Sequence, residues 1–270
     1  MIEALTYDFM QRAFAAGIIV AIICALIGVF LVLRRMSLIG DGLAHITFGG
    51  VALGLYFGIN PLLSALASSL ASGFAIQALK NRAKLYGETA IAILFSAGLA
   101  VGVILISLRN GFSVDILSFL FGSILAVSNT DLLIIGALGL LVPCCVLLFY
   151  KEFVAITFDE ETAKVSGVPV QFLNTLFIVL TAITVVSSLR IMGVLLVSSF
   201  LVLPCATSMQ LAKSFKRLLL LSVVVAITSV IIGLFTSYTF NIAPGGSIVF
   251  ISIILFLCSL LIKKFSDVRA

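Results

Sequence analysis

Long uncharged runs dominate the chain. From Arg12 to Arg34 there are 21 residues without a formal charge, from Glu88 to Arg109 20, from Asp131 to Lys151 19, from Lys164 to Arg190 25, and from Arg190 to Lys213 22. A helix that crosses a bilayer needs about 20 mostly apolar residues, so each run predicts one span. Two further runs are double length. Asp41 to Lys80 encloses 38 residues and is broken at Gly58-Ile59-Asn60-Pro61, and Arg217 to Lys263 encloses 45 and is broken at Asn241-Ile242-Ala243-Pro244-Gly245-Gly246. Each predicts two helices joined by a tight turn. The 15 residues between Asp115 and Asp131 include Gly122 and Ser123 and are short for a span. The region 112–130 therefore suits a re-entrant or tilted segment. The expected fold is an all-α integral membrane protein, a polytopic bundle of eight to nine transmembrane helices plus that one short segment. Residues 1–270 show no internal repeat or boundary and are expected to form a single transmembrane domain.

Composition closes off the alternatives. The 270 residues are 62% hydrophobic and 10% charged, against roughly 45–50% and 25% in soluble domains, which excludes a water-soluble globule. A charge at the bilayer centre costs about 2.5–3.5 kcal/mol on insertion scales, so the charges mark either loops or function. Loop by loop, Arg34, Arg35, Lys80, Arg82, Lys84, Lys151, Lys164, Lys213, Lys216, Arg217, Lys263, Lys264 and Arg269 fall on one side, which is 13 of the 16 Lys and Arg. Only Arg12, Arg109 and Arg190 fall on the other. Basic residues are retained in the cytoplasm, which predicts an outside N-terminus and a cytoplasmic C-terminus. The same bias accounts for the net charge of +5 and leaves no reason to invoke nucleic acid. Glu3 and Asp8 precede a first run long enough to span, so a retained first helix is expected rather than a cleaved signal. Cys24, Cys144, Cys145, Cys205 and Cys258 lie in apolar stretches without zinc or redox spacing and read as small hydrophobes. No Gly-x-x-x-x-Gly-Lys-[Ser/Thr] occurs, so the chain has no P-loop of its own.

Three segments carry candidate chemistry. In Arg34-Arg35-Met36-Ser37-Leu38-Ile39-Gly40-Asp41-Gly42-Leu43-Ala44-His45, Asp41 and His45 are four apart and share one helix face. A carboxylate and an imidazole so placed can ligate one divalent cation. Alternatively, Asp41 is an N-cap after Gly40 and His45 an interhelical hydrogen-bonding residue. Two ligands are too few for a tight zinc site, whereas two copies about a two-fold axis supply two Asp and two His. The second segment, Phe158 to Pro169, is the one acidic stretch on the basic side. It predicts a short helix with Asp159 as N-cap, Glu160 and Glu161 in its first turn, and a stop at Gly167. Such a helix is either a solvated connection or an element that docks on a partner. The third, Gly193 to Pro204, reads either as a kinked pore helix or as ordinary small-residue packing.

Together these segments resemble the membrane permease subunit of bacterial zinc and manganese ABC importers, over nearly the whole chain. The resemblance rests on R-R-M-S-x-x-G-D-x-L-A-H at Arg34 to His45, E-x-A-x-x-x-G-x-P at Glu161 to Pro169, and G-x-L-L-V-S-x-x-L-V-L-P at Gly193 to Pro204. Tyr7 to Ala13, Leu120-Phe121-Gly122-Ser123-Ile124 and Ala243-Pro244-Gly245 are further similar stretches. It implies a single transmembrane permease domain that is not itself an enzyme, acting as a homodimer in the lipid of the bacterial cytoplasmic membrane. Two copies of a cytoplasmic ATPase would bind ATP, and an extracytoplasmic metal-binding protein would deliver the ion. By position it makes Asp41 and His45 the metal-contacting pair. Asp159, Glu160, Glu161, Ala163 and Gly167 become the ATPase-coupling segment, and Gly193 and Pro204 pore or packing residues. Ala44 stands where the family often has Ser, which removes a hydroxyl near the site.

The resemblance implies no permanently bound cofactor, with zinc first and manganese next as the transported ion. The alternative is a secondary metal-ion transporter or channel that works without an ATPase. That class needs coupling groups in several spans, and apart from Asp41 and His45 the spans hold few. An intramembrane metalloprotease of the common kind is excluded, because His-Glu-x-x-His is absent and His45 is the only histidine.

Overall fold

The computed structural model describes residues 7–83, 86–108, 114–123 and 127–267. These form twelve helices and no strand. Nine are long and apolar enough to cross a bilayer: α1 (Asp8–Leu33), α2 (Leu38–Phe57), α3 (Pro61–Arg82), α4 (Gly87–Leu108), α6 (Asn129–Leu148), α9 (Val170–Met192), α10 (Val194–Leu211), α11 (Phe215–Phe240) and α12 (Pro244–Asp267). The short α5 (Val114–Phe121) has eight residues, about 12 Å at 1.5 Å per residue, and cannot span. It is the expected short segment. Two helices sit between spans, α7 (Tyr150–Phe158) and α8 (Glu160–Val165). Glu3, Lys84, Arg109, Ile124 and Arg269 lie outside the described residues.

Both double-length runs break where turn chemistry predicts. α2 ends at Gly58 in the left-handed conformation, Pro61 opens α3, and Asn60 Oδ1 accepts from the Leu62 and Leu63 amides. α11 ends at a left-handed Asn241 and α12 begins at Pro244. Proline at the first helical position costs nothing, because that amide has no intrahelical acceptor.

Inter-helix contacts give the direction of each span. Phe14 lies against Phe235 and Phe30 against Phe215, so α1 and α11 are antiparallel. Gly73 faces Ile178 and Gln77 bonds Thr175, so α3 and α9 are antiparallel. Gly42 meets Ile91 and Gly49 meets Gly98, so α2 and α4 run parallel. This alternation gathers Arg34, Arg35, Arg82, Lys151, Lys164, Lys213, Lys216, Arg217, Lys263 and Lys264 at one end of the bundle, below called the arginine end. At the opposite end Arg12 Nη1 donates to Asn129 Oδ1 at 3.1 Å, linking α1 to α6.

The innermost spans are α1, α2 and α9, whereas α4 and α6 present most of their surface outward. α2 lies against α3 and α4, α1 against α10 and α11, and α9 packs on both groups. Lipid tails are as apolar as leucine, so close backbone approach must supply much of the cohesion. The α2–α4 crossing is an example. A Cβ added at Gly49 would lie 2.6 Å from the Gly98 carbonyl oxygen, and one at Gly98 would lie 2.5 Å from Ile46 Cα. At the arginine end the rings of Phe30, Phe153, Phe177 and Phe215 sit 5.7 to 6.3 Å apart and tie α1, α7, α9 and α11 together. Such pairs contribute about 0.5–1.5 kcal/mol each beyond their buried area.

Candidate metal path and its coupling segment

The turn from α1 to α2 sets the geometry of the first candidate site. Arg34 caps α1, the Arg35 amide donates to the Val32 carbonyl at 3.1 Å, and the Met36 amide donates to the Leu31 carbonyl at 2.8 Å. This is a Schellman closure, which needs a left-handed residue and usually recruits glycine. Here the position is Arg35, at φ +56°. A side chain at such an angle costs roughly 1–2 kcal/mol.

α2 then starts at Leu38 with Ser37 at its cap. Asp41 is inside the helix, so the reading of Asp41 as an N-cap is corrected: the helix begins four residues earlier than that reading requires. The carboxylate still lies in the first turn, where the helix dipole favours negative charge. One turn on, His45 Nε2 is 3.8 Å from Asp41 Oδ1. That is too long for a hydrogen bond. Two donors each about 2.1 Å from one ion at a tetrahedral angle are about 3.4 Å apart, so a small side-chain rotation brings the pair to ligating distance.

The surroundings hold the pair in place. The His45 ring packs on Phe95 of α4, with centroids 4.2 Å apart, and its Nδ1 is buried without a hydrogen-bond partner among the described residues. Ring packing, not a hydrogen bond, therefore orients the imidazole. Gly40 approaches Leu201 of α10 and Gly42 approaches Ile91 of α4, which wedges the start of α2 between those helices. Asp41 keeps 41% of its side chain exposed, against 14% for His45. Among the described residues no group of three or more His, Cys, Asp and Glu side chains gathers anywhere. Asp41 and His45 thus offer one oxygen and one nitrogen, and any fuller coordination needs water, backbone or a second copy.

The second segment folds as its sequence predicts. Asp159 caps α8: Oδ1 accepts from the Thr162 amide at 3.0 Å and Oδ2 from the Thr162 hydroxyl at 2.6 Å. Those bonds, the hydroxyl first, hold its carboxyl below the usual range. The helix ends in a second Schellman closure, Val168 amide to Ala163 carbonyl and Gly167 amide to Lys164 carbonyl, with Gly167 at φ +85°. Ala163 is buried, while Glu160 and Glu161 are exposed. A short, rigidly capped helix is thereby presented at the arginine end.

Arg34 connects the two segments. Its side chain is only 8% exposed and lies 4.0 Å from Glu160 Oε2. Its Nη2 donates to Asn174 Oδ1 of α9, and Asn174 Nδ2 donates to Glu160 Oε1 at 3.1 Å. The guanidinium sits 5.2 Å above the Phe177 ring. Burial lowers its pKa from the ordinary arginine value and the nearby Glu160 opposes that shift. Around these groups opens a cleft of 1260 Å³, lined among others by Arg35, Glu88, Glu160 and Lys164. The sequence marks Arg34 as an orientation residue and as the start of the R-R-M-S motif, and it does not single out Asn174 or Phe95. An arginine pair facing the lone acidic segment on the same side was the available signal.

The third segment is distributed differently. Gly193, at φ +75°, separates α9 from α10. A Cβ there would lie 2.3 Å from the Leu120 carbonyl oxygen, and one at Gly245 would lie 2.1 Å from the Met192 carbonyl oxygen. Three glycines from separated motifs, Gly122, Gly193 and Gly245, thus meet where α5, the α9–α10 junction and α12 converge. Pro204 is buried within α10.

A polytopic bundle of nine spans, with an acid–imidazole pair in one of them and a capped short helix exposed at one end, has the build of a membrane permease subunit. The chain belongs to the ABC 3 transport family, whose model matches residues 6–263. It is 36% identical to the manganese import system permease protein ScaB of Streptococcus gordonii, over 95% of this chain and 92% of that one. It is 31% identical to a probable iron transport system membrane protein of Haemophilus influenzae, over 98% and 97% of the two chains. Its fold matches PsaBC from Streptococcus pneumoniae, solved in complex with Fab, with a TM-score of 0.89 and 34% identity over 100% of this chain and 98% of that one.

Proposed function

We propose that a homodimer of this chain carries a divalent transition metal into the cytoplasm, driven by ATP hydrolysis on separate ATPase subunits and supplied by an extracytoplasmic metal-binding protein. The observation that carries this reading is the Asp41–His45 pair, 3.8 Å apart inside α2. Intramembrane ionisable residues are costly and are kept for function. The pair offers borderline ligands, which suit manganese, iron and zinc alike. The relatives' names favour manganese, with iron in one; zinc, which the resemblance put first, rests on the ligand chemistry alone. Two ligands per chain hold an ion loosely, which favours release.

In this reading the arginine end faces the cytoplasm, with the N-terminus outside and the C-terminus inside, as the basic bias favours. α8 then meets the ATPase through Asp159, Glu160, Glu161, Ala163 and Gly167, and residues 1–270 act as one permease domain. A transporter or channel without an ATPase is the second reading, and the capped α8, exposed and ready to dock, counts against it.

In cells starved of manganese and of zinc, Asp41→Ala and His45→Ala are each expected to cut metal uptake at least tenfold. Uptake at the unaltered level in both variants sinks the site assignment. Gly167→Arg, which places a long side chain at a left-handed position, is expected to abolish co-purification with the ATPase or to uncouple its hydrolysis from uptake; unchanged behaviour returns α8 to a mere connection.

A further inference from the structure

α8 packs on α7 and α9, yet the metal-ligand pair is on α2. If the reading above holds, force delivered at α8 has to reach α2 by some route, and the polar groups at the arginine end supply one. Glu160 leads to Arg34 both directly and through Asn174. Arg34 is the C-cap of α1. Three residues separate it from the first residue of α2, and two of them, Arg35 and Met36, are fixed by the backbone bonds to Val32 and Leu31. The turn has little slack, so a displacement of the Arg34 head group acts on the first turn of α2, where Asp41 stands.

We propose that Arg34 is a positioning residue that ties the coupling helix to the metal-bearing helix, so that movement of Glu160 re-registers Asp41 against His45. Asn174 is the intermediate piece: its amide oxygen holds the guanidinium while its amide nitrogen holds the carboxylate. Phe177 and the phenylalanine cluster beneath it form a rigid floor that resists movement in the other direction. Arg34 is nearly enclosed and Glu160 half exposed, as suits a link with one end in the bundle and the other on its surface. The inference rests on the importer reading and adds to it a named route through one side chain.

The test uses the complete complex, permease with its ATPase, reconstituted in liposomes with manganese as the probe. Manganese uptake and phosphate release are measured together for the unaltered complex and for Arg34→Gln, Asn174→Ala and the double variant. A purely structural role lowers complex yield and both rates in step, leaving manganese moved per ATP unchanged. The link instead predicts hydrolysis within about twofold of the unaltered complex and a roughly tenfold fall in manganese per ATP in each single variant. The double variant should fall no further than either single one, because both break the same connection. A normal ratio in the single variants, or a double-variant loss equal to the product of the two, overturns the inference. Asn174→Ala, a half-buried position on α9 outside the coupling segment, keeps the test decisive should Arg34→Gln fold poorly. An unaltered complex that moves manganese without ATP overturns the importer reading and this inference with it, whereas normal coupling in Arg34→Gln overturns the inference alone.

Discussion

Arg35 and Gly167 occupy the same place in two helix closures and meet its demand differently. Both adopt positive φ, at +56° and +85°, but only glycine does so without a Cβ clash. Gly167 closes a surface helix cheaply. Arg35 closes the turn that precedes Asp41 under strain, and strain of this kind gathers at functional sites. Arg35→Gly is expected to stabilise the purified permease by up to about 1 kcal/mol, the relieved strain being partly offset by the greater backbone freedom of unfolded glycine. A raised thermal midpoint checks it, and an unchanged or lowered one shows that the Arg35 side chain makes compensating contacts. That Asp41 and His45 share one face was legible from spacing alone, because i and i+4 lie on the same side of a helix. The 3.8 Å gap, the packing of His45 on Phe95 and the enclosure of Arg34 depend on α4, α8 and α9, and no pattern within the motif itself encodes those neighbours.

Among the elements, α2 depends most on fit. It is pressed between α4 and α10 at Gly40 and Gly42 and crosses α4 at Gly49 and Gly98. The crossing lies one turn beyond His45, so separating these helices also moves Phe95 away from the imidazole. Gly98→Val places methyl groups against Ile46 and is expected to cost about 1–3 kcal/mol by overpacking and to lower uptake more than Gly136→Val, since a Cβ at Gly136 meets nothing within 4 Å. Thermal unfolding and uptake of the two variants check it; equal effects contradict the fit argument. α8 was legible almost residue by residue, because an aspartate cap, early glutamates and a terminal glycine are local signals. The start of α2 was not. Ser37 makes no side-chain capping bond, so the sequence left Asp41 as the more obvious cap, and the Schellman closure at Arg35 that fixes the true start uses a residue that rarely takes that angle.

At the scale of the molecule, the spacing of charges predicted eight to nine spans, both double turns and a short segment where α5 lies, since a bilayer imposes one length on every helix. The separation of basic residues into two sets appears as the arginine end of the bundle. What spacing could not supply is how motifs far apart in sequence meet. Gly122, Gly193 and Gly245 converge at one end, and Arg34, Glu160 and Asn174 at the other, through contacts made only when the spans assemble. The two junctions lie at opposite ends of the bundle. The most direct test of the central claim is ATP-dependent manganese accumulation by liposomes holding the permease and its ATPase, compared between the unaltered complex and Asp41→Ala. The account predicts that the variant complex assembles and hydrolyses ATP but accumulates at most a tenth of the manganese; full accumulation by Asp41→Ala would contradict it.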